Sequence, residues 1–305
     1  MAKSPQLEKV IQMVRELRSK LVATISEARE AFDQMATQLE PPADLTREPV
    51  DAGGVPAEWI RAPGAADNGV LIYLHGGAYA VGSVEAYLGL ISRLSQASRT
   101  KALGVDYRLA PEHLFPAAVE DAVTAYRWLL SNGVGPARIA VAGDSAGGGL
   151  VMALLLSLRD AGDPLPAAGV CLSPWVDLEC SGESMVTKAP LDPFIQKERI
   201  QARAQLYLGG HEARTPLASP LYADLSGLPP LLIHVGSSET LLDDATRLAA
   251  RAREAGVSVT LEVWDDMTHV WQLFAAMLPE GQQSIDGIGA FIRQRLAAPQ
   301  STVDG

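Results

Sequence analysis

The stretch GDSAGG, residues 143–148, decides how the rest of this chain is interpreted. RIAVA before it has the apolar composition of a buried strand, and GLVMALLLSLRDAG after it has that of a buried helix. A strand, a G-x-S-x-G turn and a helix together present a serine on a sharp turn, where small neighbours avoid a clash with the strand and the helix. The simpler explanation is a glycine-rich link between a strand and a helix, so the remaining sequence has to decide between the two.

The composition and charge are those of an ordinary globular protein. The 305 residues are 48% hydrophobic and 20% charged, which is enough apolar material for a full core. The net charge of −11 at pH 7 argues against a nucleic acid or an anionic membrane surface as a partner. No apolar run predicts a membrane anchor and the N-terminus lacks the pattern of a secretory signal, so a cytoplasmic location is expected. Cys171 and Cys180 are too few for a disulfide framework or a zinc site, and Cys171 is expected to be a buried thiol in a strand.

Strand-like and helix-like segments alternate along most of the chain. Short apolar runs suit strands buried on both faces, and the helices between them indicate parallel crossovers. The N-terminal part differs, because residues 5 to about 38 predict helix and 47–63 predict two antiparallel strands joined at Gly53-Gly54. Prolines interrupt the segment from 177 to about 228, where no strand is predicted and 196–208 predicts a helix. The predicted buried strands are 70–74, 102–107, 138–143, 169–173, 231–236 and 259–264.

A serine nucleophile needs a neighbouring base, because a free hydroxyl is a weak nucleophile at neutral pH. His269 follows the last predicted strand through the short loop DDMT. It therefore lies at the edge where open α/β sheets place their active sites, and it comes after Ser145 in the chain, as this kind of turn requires. We predict that His269 is the base. The other histidines precede the serine or lie in a loop or within a strand: His75, His113, His211 and His234.

The histidine in turn needs a carboxylate that holds its tautomer and stabilises the imidazolium. Glu239, in the loop SSET just past the strand 231–236, can reach the same edge of the sheet and is the predicted acid. Asp243 and Asp177 remain alternatives. Asp243 lies in the first turn of a helix, where a carboxylate usually complements the helix dipole.

A second glycine turn, HGGA at 75–78, follows another buried strand directly. Glycines let backbone amides point inward without a side chain in the way. The amides of Gly76 and Gly77, together with that of Ala146, are therefore predicted to stabilise the negative charge that develops on a carbonyl oxygen during acyl transfer. The alternative is a tight turn that needs a positive φ and nothing more.

Five stretches of the sequence match the motifs of a known family: HGGAYAVGS (75–83), DYRLAPEHLFPAAVEDA (106–122), GDSAGG (143–148), LSPWVDL (172–178) and DMTH (266–269). The chain resembles the hormone-sensitive-lipase-like carboxylesterases (bacterial family IV) of the α/β-hydrolase superfamily, from about residue 47 to 297. Two positions depart from the family pattern. The third glycine of HGGG is Ala78 here, and the acid, often an aspartate before a proline, aligns with Glu239 before Thr240.

The resemblance implies an α/β-hydrolase fold, with a mostly parallel central sheet, helices on both faces and a helical cap. It implies Ser145 as nucleophile and His269 as base, with no cofactor and no metal. Tyr79 and Phe194 are candidate substrate-binding aromatics, unless they are only packed beneath the cap. The expected division of the chain is a catalytic core at 46–178 and 220–297, a cap formed by 1–45 and 179–219, and a flexible tail at 298–305.

The expected activity is hydrolysis of short-chain acyl esters by a Ser-His-Glu triad through an acyl-enzyme. One alternative is hydrolysis of an amide, lactone or thioester by the same residues. A second is a small-molecule-binding protein without catalysis, because fold does not fix function. His269 argues against the second, since receptor-like relatives have lost the catalytic histidine. Family members often pair as dimers through the last strands of the sheet, so the expected partners are a small acyl ester and a second copy of the chain.

Overall fold

A sheet of eight strands runs through the computed structural model, which describes residues 4–20, 24–36 and 41–297. The strands are β1 Thr46–Asp51, β2 Pro56–Arg61, β3 Ala66–Leu74, β4 Thr100–Val105, β5 Ile139–Asp144, β6 Ala168–Leu172, β7 Leu231–Gly236 and β8 Val259–Trp264. Their order across the sheet is β1-β2-β4-β3-β5-β6-β7-β8. The pairings of β2 with β1 and β4 are antiparallel and all the others are parallel. The mostly parallel sheet predicted from the sequence is confirmed.

Nine α-helices accompany the sheet within the described residues. They are α1 Pro5–Lys20, α2 Ile25–Ala36, α3 Leu88–Ser98, α4 Ala117–Ser131, α5 Ala146–Ala161, α6 Ser184–Thr187, α7 Lys197–Leu208, α8 Leu242–Glu254 and α9 Pro279–Ala297. Successive side chains of a strand point to opposite faces of the sheet. In β3, Ile72 therefore belongs to the same buried hydrophobic cluster as residues of α4, α5 and α8, whereas Leu71 and Tyr73 belong to the cluster that includes residues of α3 and α9. Helices cover both faces, as the apolar strand sequences predict.

The helix predicted over residues 5 to about 38 is divided in two. Thr24 begins the second helix with a capping box: the Glu27 carboxylate accepts from the backbone N–H of Thr24 at 2.9 Å, and Thr24 Oγ1 accepts from the N–H of Glu27 at 3.3 Å. The prediction missed this T-x-x-E signal and ran the two helices together. The tail at 298–305, predicted to be flexible, lies outside the described residues.

The segment predicted to lack strands contains α6 and α7 and, among the described residues, no strand. Tyr207 of α7 stacks on Tyr79, with the ring centroids 3.8 Å apart and the rings 6° from parallel. This stack attaches α7 to the core. Of the helices described, none is long and apolar enough to span a membrane.

Cys171 in β6 is fully buried, as its apolar surroundings in the sequence predict. Burial raises the pKa of its thiol to about 12, so the side chain is a neutral part of the core at physiological pH.

Candidate active site

The GDSAGG stretch forms a sharp turn between β5 and α5, with Ser145 at its tip. Ser145 has φ 53° and ψ −119°, and a positive φ is strained for a residue with a side chain. The neighbouring residues have to be glycines, because there is no space for a side chain at either position. A Cβ on Gly143 would lie 2.4 Å from the carbonyl oxygen of Gly147, and a Cβ on Gly147 would lie 2.0 Å from that of Leu74. The turn thus holds the serine hydroxyl at the carboxyl edge of the sheet, beside the unpaired N–H groups that begin α5.

His269 lies in the loop after β8 and reaches the serine from the same edge of the sheet. Its Nε2 is 3.0 Å from Ser145 Oγ. The side chain is almost completely buried, so few water molecules can compete for this contact. The predicted base and the predicted nucleophile are therefore within hydrogen-bond distance, although 124 positions separate them in the chain.

Glu239, just past the end of β7, is the carboxylate beside this histidine. Its Oε1 is 3.3 Å from His269 Nδ1, and the glutamate is fully buried. Burial alone would lower the pKa of His269, but the hydrogen bond and the negative charge of Glu239 outweigh it. The pKa of His269 is raised above its usual 6.5.

The second oxygen of Glu239 is fixed by two donors. Ser173 Oγ donates to Glu239 Oε2 at 2.8 Å, and the backbone N–H of Gly236 donates to the same oxygen at 2.9 Å. Ser173 Oγ also accepts from the backbone N–H of Val270, next to His269, at 3.1 Å. Ser173 therefore ties the acid and the loop of the base to one hydroxyl, a role that the sequence analysis missed.

The two alternative acids, Asp177 and Asp243, form hydrogen bonds with residues other than His269. Asp177 Oδ2 accepts from Ser181 Oγ at 2.6 Å and from the Arg247 guanidinium at 3.1 Å. Asp243 Oδ2 accepts from the backbone N–H of Ser184 at 2.9 Å. Neither carboxylate forms a hydrogen bond or ion pair with His269 among the described residues, so Glu239 is the carboxylate that contacts the histidine.

The other histidines do not contact Ser145. His75 is buried and stacks on Tyr107 with ring centroids 4.3 Å apart. His234 is buried in β7, with Nδ1 2.9 Å from Ser284 Oγ, and burial lowers its pKa to about 4. His211 is exposed in the loop after α7, as predicted.

The HGGA turn lies beside Ser145, but its amides differ from the prediction. The backbone N–H of Gly76 donates to Asp144 Oδ1 at 2.9 Å, so the prediction that it faces a reacting carbonyl is wrong. Gly77 and Ala78 instead line the cavity next to Ser145. Among the described residues, the backbone N–H groups of Gly77, Ala78 and Ala146 have no hydrogen-bond acceptor. Sequence shows which residues tolerate such a turn, not the direction in which each amide points.

Asp144, between Gly143 and the serine, is the main residue of the site that the sequence analysis did not single out. Its carboxyl group accepts from Tyr73 at 2.7 Å and from Tyr87 at 3.0 Å, in addition to Gly76. Burial raises the pKa of Asp144 to about 6, although these tyrosine hydrogen bonds and the nearby His269 oppose the shift. The group is thus a buried, hydrogen-bonded support beneath the glycine turn.

A cavity of about 120 Å³ opens at Ser145 and His269. Its wall is mostly apolar and includes side chains from the N-terminal helices, such as Val14 and Phe32, and from the region of α7, such as Ile195 and Ile200. These helices therefore lie over the serine.

Of the two aromatic residues predicted to line the pocket, only Phe194 lines the cavity at Ser145. The centroid of its ring is 5.9 Å from that of the His269 ring, and the two rings are 18° from parallel. Tyr79 is 1% exposed and packs between Tyr207 and Trp175. The prediction that Tyr79 binds substrate is wrong, because its ring belongs to the core beneath α7.

Asp192 fixes the position of Phe194. Its Oδ1 accepts from the backbone N–H groups of Phe194 and Ile195, at 2.8 and 2.9 Å. Its Oδ2 accepts from the backbone N–H and the hydroxyl of Thr240, at 2.8 and 3.0 Å. One buried carboxylate therefore connects the aromatic wall of the cavity to the loop that carries Glu239.

Potential metal ligands are not grouped in this site. No cluster of three or more His, Cys, Asp or Glu side chains that could hold a metal ion occurs within 4–20, 24–36 and 41–297.

Comparison with known proteins gives the same fold and a consistent set of relatives. A family model described as the α/β-hydrolase fold matches residues 71–273. An acetyl-hydrolase of Streptomyces hygroscopicus is 46% identical over 298 residues, which is 95% of this chain and 97% of that protein. Among solved structures, an esterase from the bacterial hormone-sensitive lipase family is 55% identical, with a TM-score of 0.95 over 97% of this chain and 100% of the other.

A second solved structure, EstE5 from a crystal soaked with p-nitrophenyl butyrate, is 46% identical with a TM-score of 0.93 over 97% of this chain and 100% of that one. The family model covers about two thirds of the chain, and these relatives match it almost from end to end. The chain therefore belongs to the bacterial hormone-sensitive-lipase family of esterases with the α/β-hydrolase fold.

Proposed function

We propose that the chain is a serine carboxylesterase that hydrolyses short-chain acyl esters, with Ser145 as nucleophile, His269 as base and Glu239 as acid. One observation carries the proposal. The serine hydroxyl, the imidazole and the carboxylate form one line of contacts of 3.0 and 3.3 Å at the carboxyl edge of the sheet, at the mouth of an apolar cavity. Nucleophile, base and orienting acid in this sequence are what acyl transfer needs.

In the first half of the reaction, Ser145 Oγ attacks the ester carbonyl carbon while its proton passes to His269 Nε2. The imidazolium then gives that proton to the leaving alcohol, and the acyl group remains on the serine. In the second half, His269 takes a proton from water, the hydroxide attacks the acyl carbon, and the proton returns to Ser145 as the acid is released. The Glu239 carboxylate stabilises the imidazolium in both halves.

The negative charge on the carbonyl oxygen is stabilised by the backbone N–H groups of Gly77, Ala78 and Ala146. Their unoccupied state and the position of Gly77 and Ala78 beside the serine support this assignment. Donors fixed in advance toward developing charge are usually the largest single catalytic contribution. The backbone N–H of Gly76 instead holds the HGGA turn in place through its hydrogen bond to Asp144.

The size of the cavity supports the proposed preference for short acyl groups. Its volume of about 120 Å³ is below the roughly 300–1,000 Å³ of common ligand pockets. Phe194, held by Asp192, forms one wall beside His269. The name of the Streptomyces relative, acetyl-hydrolase, and the p-nitrophenyl butyrate used with EstE5 are consistent with small acyl groups.

We further propose that 1–45 and 179–219 form a cap over a catalytic core made of 46–178 and 220–297. Cavity-lining side chains from α1, α2 and α7 support this division. The homodimer and the cytoplasmic location stay predictions. β8 lies at one end of the strand order, where a second copy can pair along it.

Hydrolysis of p-nitrophenyl esters from acetate to palmitate tests the function. We expect kcat/KM to be highest for the shortest acyl chains and to be lost in Ser145→Ala. Ser157→Ala is the matched control, because Ser157 lies on the same helix and its hydroxyl only donates to the carbonyl of Ala153. Equal inactivity of wild type and Ser145→Ala across the series would contradict the proposal, as would equal activity.

A further inference from the structure

Three arginine side chains line the cavity above Ser145. Arg18 comes from α1, and Arg199 and Arg203 come from α7. The rest of the wall is mostly apolar, so one cavity combines apolar side chains with three cations contributed by two helices that are distant in the sequence.

No acidic partner in the described parts of the chain neutralises these arginines. No carboxylate there lies within 4.0 Å of Arg18, Arg199 or Arg203, and the one hydrogen bond among them runs from Arg199 to the backbone oxygen of Arg18 at 3.2 Å. Arg29, close to the same region, is different, because Glu112 pairs with it at 2.8 Å. Unpaired cations are notable in a chain with a net charge of −11.

The charge of Arg203 is partly removed from water. Burial and the positive charge of Arg29 lower the pKa of Arg203, but a guanidinium stays protonated at any physiological pH. A half-buried cation without a counter-ion costs free energy that an anionic ligand would recover. Asp144, the carboxylate that lines the cavity near the serine, cannot serve, since its oxygens are occupied by Tyr73, Tyr87 and Gly76.

We propose that the natural substrate is an ester that carries a carboxylate or phosphate group, bound with the ester at Ser145 and the anion at Arg18, Arg199 and Arg203. The proposal rests on the esterase function argued above. Guanidinium groups bind planar carboxylates and phosphates through paired N–H donors. The apolar side chains that form the rest of the wall then fit a short hydrocarbon segment that joins the two groups.

Pairs of one anionic and one neutral ester test this proposal, with hydrolysis followed in a pH-stat. Monomethyl succinate against methyl succinamate places the carboxylate on the acyl side. 3-Acetoxypropanoate against 3-acetoxypropanamide places it on the alcohol side, and 2-acetoxyethyl phosphate against 2-acetoxyethanol tests phosphate. In at least one pair, kcat/KM for the anion should exceed that for the neutral ester by about tenfold, which corresponds to about 1.4 kcal/mol.

Salt and substitution decide whether the arginines cause the preference. In about 1 M salt, where charges are screened within about 3 Å, the anion-to-neutral ratio should fall toward one. Arg199→Gln and Arg203→Gln should lower the ratio at low salt, and the double variant should lower it further. Arg15→Gln is the control, because this substitution removes the same charge. Arg15 is exposed on α1 and does not line the cavity, so the variant should keep the wild-type ratio.

The ratio is an internal control for folding, since both esters are measured with the same protein. A wild-type ratio at or below one in every pair would overturn the proposal and leave the esterase function intact. So would a ratio that Arg199→Gln, Arg203→Gln and the double variant leave unchanged. If the enzyme hydrolysed none of these esters, charged or neutral, and none of the p-nitrophenyl series, the result would instead count against the proposed function.

Discussion

Substitution of Asp144 by asparagine should stabilise the protein at neutral pH. Asparagine has nearly the same shape, and its oxygen can still accept from Gly76 and Tyr73, while its NH₂ can donate to the Tyr87 oxygen. The variant therefore resembles wild type with Asp144 protonated. It removes the cost of a buried negative charge at any pH at which wild type would carry that charge.

The magnitude follows from the pKa of Asp144, which burial raises from 3.8 to about 6. At about 1.4 kcal/mol per pKa unit, this shift corresponds to about 3 kcal/mol. The native state holds the proton more tightly than the unfolded state. Wild-type stability from this group is therefore full below pH 3.8 and is lost as the pH rises through about 6. The free energy of unfolding of Asp144→Asn, relative to wild type, should thus rise by about 2 kcal/mol between about pH 4, where the unfolded carboxyl is already partly ionised, and about pH 8.

Urea unfolding of both proteins at the two pH values measures this change, and a constant offset from altered hydrogen bonds cancels in the comparison. Asp224→Asn is the control. It removes the same formal charge from an exposed site where the backbone N–H of Ser226 lowers the pKa of Asp224, so its pH dependence should have the opposite sign. A stability difference between Asp144→Asn and wild type that is equal at the two pH values would refute the reasoning.

Three further substitutions test the site and its support. Glu239→Gln should lower kcat by about 10⁴-fold. It should also shift the acid limb of the kcat/KM profile to lower pH, because Glu239 raises the pKa of His269; a limb that stays in place would contradict this. Gly77→Ala should lower kcat at least about 100-fold, since the new Cβ would lie 2.1 Å from the Val81 carbonyl oxygen, and unchanged p-nitrophenyl acetate kinetics would argue against the assigned amides. Tyr79→Ala should cost about 3–5 kcal/mol of unfolding free energy in urea, whereas a changed KM without lost stability would return Tyr79 to the substrate pocket.

The residues at the ends of strands were the ones that sequence could identify. Ser145, Glu239 and His269 each follow an apolar strand within a few positions, so a parallel sheet brings them to one edge before any side-chain contact is known. The same reasoning cannot assign a role to Asp144, although this residue ends β5. Its role depends on hydroxyls from Tyr73 and Tyr87, which come from another strand and another loop.

Two errors have a common physical origin. The motif HGGA shows that glycine is needed, and a Cβ at Gly76 would lie 2.2 Å from Asp144 Oδ2, but it does not show where the Gly76 N–H points. Tyr79 follows that motif directly, and its proximity to the site in sequence suggested a substrate contact. The ring is held instead by Tyr207 on α7, a partner that only the folded chain brings near.

The arginines of the cavity were not identified for a related reason. Arg18 lies in an N-terminal helix and Arg199 and Arg203 in a helix about 180 positions later, and surface helices commonly carry such charges. Only the packing of both helices over Ser145 turns separate surface residues into one cationic wall.

Trapping of the nucleophile tests the central claim most directly. After brief treatment with diethyl p-nitrophenyl phosphate, we expect one phosphoryl group per chain, located by peptide mass spectrometry on Ser145, with activity lost in proportion. Ser145→Ala should remain unlabelled, and Ser157→Ala should label like wild type. An inactivated enzyme labelled at another residue, or full hydrolysis of p-nitrophenyl acetate by Ser145→Ala, would contradict the account.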